Sequence, residues 1–161
     1  MCLTYAKIVE QTEDIICYKI FVKDLDHYEE EDEKGLYSPY RWSPYKIGKM
    51  KTTRQNSPQI RNYGGSCPCI ERKAFHSFKN LDDAVDWTIR RFRIGKEPYC
   101  IVECIIPKDS KYTYSGIYDP NLDDSITYPA YACERIKPIR VVKTRNDLFL
   151  ARNLYREKGI I

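Results

Sequence analysis

The chain has 161 residues, of which 42% are hydrophobic and 31% are charged. A chain of this length is typical of one domain that buries roughly 70% of its unfolded surface, and the composition excludes a disordered or fibrous protein. No apolar run reaches the ~18 residues of a membrane helix, and residues 1–10 lack the pattern of a signal peptide. We therefore expect a single cytoplasmic domain, residues 1–161, without membrane contact.

The formal net charge of +4 is unevenly distributed along the chain. Residues 24–34 hold seven acids and one base, for a net charge of −6, whereas residues 41–63 hold six bases and no acid. A long stretch of one sign creates a local potential, and here it favours anionic partners. The alternative is a basic loop that only keeps the protein in solution.

The first half of the chain predicts one strand followed by two irregular segments. Residues 14–23 are rich in Ile, Val, Phe and Tyr, which is typical of a strand. An acidic loop, residues 24–35, leads into an aromatic and basic insert, residues 36–66. The repeated Ser-Pro-Tyr of the insert excludes a helix interior, so we expect extended or turning chain and then a loop over residues 50–66.

Strands dominate the second half. Residues 74–78 predict a short strand, and the apolar run of residues 99–107 predicts a central one. Residues 108–130 indicate a long excursion or hairpin rich in tyrosine, and residues 131–143 indicate one or two strands broken at Pro138. With two helices added, this order favours an α+β fold, with a mostly antiparallel sheet and both helices on one face.

Two helices are predicted from apolar periodicity and end signals. Asn80 is expected to cap the first helix and Gly95 to end it, while Asn146 and Gly159 are expected to do the same for the second. The apolar stripes that would face the sheet are Leu81, Ala84, Val85, Thr88, Ile89 and Phe92 in the first helix, and Leu148, Ala151, Leu154 and Tyr155 in the second.

The insert interleaves aromatic side chains with Arg and Lys residues, a combination that suits the binding of nucleotides. Nucleobases stack on aromatic faces, and phosphates bind Arg and Lys. We predict that Trp42 and Tyr45 stack and that the cations neutralise charge; the alternative is that the rings pack against the sheet. The predicted ligand-binding residues are Tyr40, Arg41, Trp42, Tyr45, Lys46, Lys49, Lys51, Arg54, Arg61 and His76.

Cysteine and carboxylate patterns give weaker signals. The seven cysteines are an odd number, so free thiols are expected in a reducing cytosol. Cys67 and Cys69 with His76 would suit zinc, but a second pair of closely spaced ligands is missing, and we predict no metal and no cofactor. The same residues are the best candidates for a cysteine-dependent enzyme. The acids at 119, 123 and 124 are typical of a turn.

Several short motifs occur together along the chain. They are Phe21-Val22-Lys23, Leu36-Tyr37-Ser38-Pro39-Tyr40, Trp42, Gly48, residues 74–79 (AFHSFK), Leu81, Ala84 and residues 101–104 (IVEC). Their arrangement resembles a loose group of uncharacterised small proteins from phages and bacteria. The resemblance implies a phage or mobile-element accessory protein, a class that includes inhibitors of host defence that act by binding.

The leading hypothesis is a non-enzymatic binding protein that engages a phosphate-bearing ligand, such as a nucleotide or nucleic acid, through the insert. One alternative is a protein-interaction module whose acidic and basic patches match a host protein or a second copy. The other alternative is a cysteine-dependent enzyme.

Overall fold

The computed structural model describes residues 2–4, 8–10, 12–23, 35–39, 43–53, 60–62, 68–70, 74–92, 98–118 and 128–161. It describes only the backbone of residues 2–4, 8–10, 60–62, 68–70 and 115–118. Most of the acidic loop, residues 24–34, lies outside the described residues, as do the acids at 119, 123 and 124 and the expected helix end at Gly95.

Within these ranges the chain forms short and long strands and two helices. The first strands are β1 (Cys2–Thr4), β2 (Ile8–Glu10), β3 (Ile15–Lys23), β4 (Leu36–Tyr37), β5 (Pro44–Tyr45), β6 (Lys51–Thr52), β7 (Ile60–Asn62), β8 (Pro68–Ile70) and β9 (Phe75–Phe78). They are followed by α1 (Leu81–Arg91), β10 (Tyr99–Ile106), β11 (Lys111–Tyr118), β12 (Tyr128–Cys133), β13 (Arg135–Lys143) and α2 (Arg145–Glu157). The predicted α+β class is confirmed.

Neighbouring strands of the main sheet are antiparallel, in the order β1-β11-β12-β9-β3-β10-β13-β6. Strand β2 pairs with β11, the β4–β5 hairpin joins β3, and β7 and β8 form a separate hairpin. The apolar strand β10 lies between β3 and β13, which confirms its predicted central position. Its pairing with β3 runs from Tyr99 opposite Val22 to Ile106 opposite Ile15.

Both helices pack on the same face of the sheet, as predicted, and we call this the helical face. Its core contains Ile20, Val22, Ala74, Phe78, Ala84, Trp87, Ile89, Tyr99, Ile101, Tyr128, Ala130, Ala132 and Leu148. The Trp87 ring lies 5.6 Å from the Phe78 ring of β9 and 5.4 Å from the ring of Phe92. The first turn of α1 contains Asp82 and Asp83, whose negative charges interact favourably with the positive end of the helix dipole.

Helix α2 departs from the prediction in two details. Its N-cap is Thr144 rather than Asn146, because the Thr144 side chain accepts from the Asp147 amide and Asp147 accepts from the Thr144 amide. Leu148 is buried as predicted, but Leu154 is 53% exposed. Gly159 lies just past the helix end with a φ of +66°, a conformation that favours glycine.

The opposite face, which we call the insert face, carries a second core. Its buried members are Cys17, Phe21, Leu36, Tyr45, Cys100, Val102, Cys104, Ile106, Tyr131, Cys133 and Ile136. Leu36 and Tyr45 come from the β4–β5 hairpin of the insert, which therefore covers part of the sheet. The segment predicted as a loop over residues 50–66 contains β6, which pairs with β13, and β7.

Strand β13 continues through Pro138, where the sequence predicted a break. The register with β10 shifts between Glu103 and Cys104, and Cys104 lies opposite Pro138. Because proline has no N–H, an irregular position is where a strand tolerates it. The separation falls instead at Glu134, between β12 and β13. Within the described residues, no helix combines the length and apolar character that crossing a bilayer requires.

Candidate functional site

The connection from β5 to β6 displays cations at one end of the sheet. We call residues 46–51 the basic turn. Lys46 and Lys49 are exposed, and the amide of Lys49 donates to the carbonyl of Lys46 at 3.2 Å. Gly48 has a φ of +75°, and its amide donates to the Pro138 carbonyl of β13 at 2.8 Å. This bond fixes the turn to the sheet, so the two ammonium groups extend from an anchored backbone.

Lys51 of β6 is engaged with the β4–β5 hairpin. Its Nζ lies 3.9 Å from the centroid of the Tyr45 ring and donates to the Ser43 hydroxyl and the Pro44 carbonyl. Desolvation lowers the pKa of Lys51 below its ordinary value. Lys51 thus holds the insert together, and Lys46 and Lys49 are the more accessible cations of the turn.

Tyr45 does not provide the stacking surface that the sequence predicts. Its side chain is only 5% exposed, and its ring lies edge-on to Phe21 at 4.9 Å and to Phe75 at 6.0 Å. Aromatic pairs in this geometry stabilise a core. The prediction of a stacking role for Tyr45 is therefore wrong, and the alternative, packing against the sheet, is correct for this ring.

The other predicted site residues divide into two groups. Tyr40, Arg41, Trp42 and Arg54 lie outside the described residues, and of Arg61 only the backbone in β7 is described. Those predictions therefore stay predictions.

His76 is described, and it lies on β9 opposite Ala132. Successive side chains of a strand point to opposite faces. Phe75 belongs to the insert face and Phe78 to the helical face, so His76, two residues before Phe78, lies on the helical face. The structure therefore does not bring the His76 side chain together with the basic turn.

A buried lysine and three thiols lie in the middle of the insert face. Lys19 is 9% exposed, and its Nζ donates to the His76 carbonyl at 2.8 Å. Desolvation lowers the pKa of Lys19, while the neighbouring thiols Cys104, Cys133 and Cys17 act in the opposite direction. No group of three or more His, Cys, Asp or Glu in the described part of the chain is arranged to hold a metal ion.

The described thiols are poor nucleophiles. Burial raises the pKa of Cys17 and of Cys100 to about 12 and raises the pKa of Cys104 and Cys133 as well. Because the thiolate is the reactive form, these four groups are inert at neutral pH. The enzyme hypothesis rested on the thiols at 67 and 69, whose side chains are not among those described.

A second group of aromatic side chains on the insert face was not singled out from the sequence. We call Tyr112, Tyr114, Tyr131 and Lys79 the tyrosine platform. The Tyr131 ring lies 5.9 Å from Tyr112 and 5.5 Å from Tyr114. Tyr114 is 46% exposed, and the Nζ of Lys79 lies 5.4 Å from its ring centroid. The alternation Tyr-Thr-Tyr in β11 is the signal that places two of these rings on one face.

A polar cluster on the helical face has an architectural role. The Asp86 carboxylate of α1 accepts from Arg90 Nε, with distances of 3.0 and 2.9 Å to its two oxygens, and from the Tyr128 hydroxyl of β12. Burial, followed by the hydrogen bond to Asp86, raises the pKa of Tyr128. Burial also raises the pKa of Tyr155 of α2, with Asp86 adding to the shift. The cluster thus joins α1, β12 and α2.

Comparison with known proteins yields no relative for this chain. No family model, no curated protein and no solved structure matches it. The resemblance to phage and bacterial accessory proteins stays a prediction, and the functional argument depends on the residues themselves.

Proposed function

We propose that this protein is a non-enzymatic binding protein and that the basic turn engages a phosphate-bearing ligand, either a nucleotide or a nucleic acid. The observation that carries the proposal is the exposure of Lys46 and Lys49 on a turn held to β13 by the Gly48–Pro138 hydrogen bond. Ammonium groups on an anchored backbone lose less conformational entropy on binding than groups on a free loop.

The charge of the surrounding chain supports an anionic ligand. No Asp or Glu occurs from residue 35 to residue 70, whereas six Lys and Arg residues do. A concentration of one sign raises the local concentration of oppositely charged ligands and their association rate.

Salt dependence of binding tests this proposal directly. A fluorescein-labelled oligothymidine of about twelve nucleotides and a labelled ATP analogue are titrated with the protein, and anisotropy is followed from about 20 to 200 mM salt. Binding should weaken steeply as salt rises. For the oligomer, the double variant Lys46→Gln with Lys49→Gln should reduce the slope of log K against log salt by about 1.4, or about 0.7 for each lost phosphate contact to a single strand.

The matched control removes two exposed positive charges elsewhere. Arg156→Gln with Lys158→Gln lies at the end of α2 and changes the net charge by the same amount. If the control lowers affinity and slope as much as the turn variant, net charge alone is responsible and the proposal is wrong. The proposal is also contradicted if the wild type binds neither the oligomer nor the ATP analogue at low salt.

A protein-interaction module is the second candidate, and an exposed apolar surface on α2 favours it. Phe149, Leu150 and Leu154 are all about half exposed or more, and clustered exposed apolar side chains often mark interaction sites. Light scattering coupled to size exclusion, at low and at high salt, tests self-association. A dimer that persists at high salt and dissociates in Leu150→Ser with Leu154→Ser supports this candidate, and a monomer at both contradicts self-association.

A further inference from the structure

The tyrosine platform has the components of a base-stacking site. Tyr114 presents an exposed ring whose other contacts are fixed, because Tyr131 supports it at 5.5 Å and Tyr131 in turn contacts Tyr112 at 5.9 Å. Tyr131 is itself buried. A ring supported in this way does not need to be ordered when a planar ligand stacks on it, so little of the stacking energy is lost.

The cation beside the ring favours a nucleotide among planar ligands. Lys79 is exposed, and its Nζ lies 5.4 Å from the Tyr114 centroid. This ammonium group lies over the ring, so a base stacked on the same face would displace it, and its flexible stem and three donors let it bind the phosphate of that nucleotide instead. An aromatic face with an adjacent cation is the combination that proteins use to bind single-stranded nucleic acid.

The platform and the basic turn border the same face of the sheet. Tyr45, which directly precedes the turn, packs on Phe75 of β9 at 6.0 Å, and Phe75 lies opposite Cys133, which in turn lies opposite Tyr112 of the platform. The two features therefore belong to one surface, across which a chain of nucleotides can extend. Bases in a duplex are already stacked on each other, so only a single strand offers them to a side chain.

We infer that the tyrosine platform is a base-stacking site and that the ligand is a single-stranded nucleic acid extending from the platform to the basic turn. This inference rests on the proposed function, because it assigns other phosphates of the same strand to Lys46 and Lys49. It adds a second binding element, at Tyr114 and Lys79.

The experiment compares two oligomers that differ only in their bases. Fluorescein-labelled oligothymidine and an abasic oligomer of the same length are titrated with the wild-type protein and with Tyr114→Ala. The wild type should bind oligothymidine about 5- to 150-fold more tightly than the abasic oligomer, the range that one stacked base contributes. Tyr114→Ala should remove this preference and leave the salt slope unchanged, whereas Tyr114→Phe, which keeps a ring, should retain it.

A second measurement does not depend on the folding of a variant. Oligothymidine carrying 5-iodouracil is cross-linked to the wild-type protein by long-wavelength ultraviolet light, because this base reacts with a ring on which it stacks. Peptide mapping by mass spectrometry should find the cross-link at Tyr114. Cross-links confined to other peptides would overturn the inference.

The outcomes separate this inference from the proposed function. Equal wild-type affinity for the two oligomers, with steep salt dependence, overturns the platform and leaves phosphate binding by the basic turn intact. A preference for bases that survives Tyr114→Ala assigns stacking to another ring and also overturns it. Binding of neither oligomer overturns this inference, and absence of binding to the ATP analogue as well overturns the proposed function.

Discussion

The two faces of the sheet are built from different chemistry although they share the same strands. The helical face is closed by two amphipathic helices, and its core consists mainly of aliphatic and aromatic side chains such as Trp87 and Ile101. The insert face carries four buried thiols and a buried lysine, is partly covered by the two-residue strands β4 and β5, and displays the exposed ring of Tyr114 and exposed lysines. The helical face therefore contains the larger apolar core, and the insert face is the one to which we assign the proposed recognition role.

The largest effect should come from truncating the centre of the helical face. Trp87→Ala removes a buried ring that packs against Phe78 and Phe92, and we expect the free energy of unfolding to fall by about 3–5 kcal/mol. Tyr114→Ala on the insert face should change it by less than about 0.5 kcal/mol, since that ring is half exposed. Urea denaturation followed by circular dichroism measures both. Similar losses for the two variants would contradict the division between the faces.

The buried lysine of the insert face should produce a smaller and pH-dependent effect. The pKa of Lys19 is lowered in the folded state from an ordinary 10.5, so the unfolded chain binds more protons between the two values. Stability contributed by this group therefore increases as pH rises toward 10.5 and is lost as pH falls through the folded pKa.

The variant Lys19→Met isolates this contribution, because the other titrating groups remain. It removes both the desolvated amine and its hydrogen bond to His76, so we expect a change within about 1.5 kcal/mol at neutral pH. The wild type should gain stability relative to this variant as pH rises toward 10.5, measured by urea denaturation at each pH. A constant difference across that range would show that Lys19 does not titrate in this way.

The smallest effect concerns the cap of α2 on the helical face. Thr144→Ala removes the side-chain acceptor for the Asp147 amide and should cost about 1 kcal/mol, whereas Asn146→Ala should cost less because Asn146 is exposed in the first turn. Thermal unfolding of the two variants measures the difference. A larger loss of stability for Asn146→Ala would show that Asn146 is the N-cap, as the sequence predicts.

The helical face could be predicted from the sequence to a large extent because its signals are local. The apolar run of β10 and the 3.6-residue stripe of α1 each specify an element and the side that it buries. The error at the start of α2 arose because Thr144 and Asn146 are both good caps and lie two residues apart. Only Asp147, three residues after Thr144, distinguishes them.

The insert face was predicted less well because its organisation is tertiary. The local sequence does not determine whether an aromatic side chain between lysines faces solvent or the sheet. Tyr45 is buried because the hairpin with β4 packs its ring against Phe21 and Phe75. The tyrosine platform likewise combines β11, β12 and the residue after β9. Alternation in β11 predicts a shared face for Tyr112 and Tyr114, but it does not predict Tyr131 or Lys79 as their neighbours.

The pairing of β3 with β9 has a mechanical consequence. Within the described residues, these strands share the one residue pair Tyr18–Phe78, whereas β3 pairs with β10 along eight residues. The bond from Lys19 Nζ to the His76 carbonyl is a second tie across the same line. The line between β3 and β9 is therefore held by little backbone pairing, and the Lys19 side chain supplies there a connection that the backbone does not.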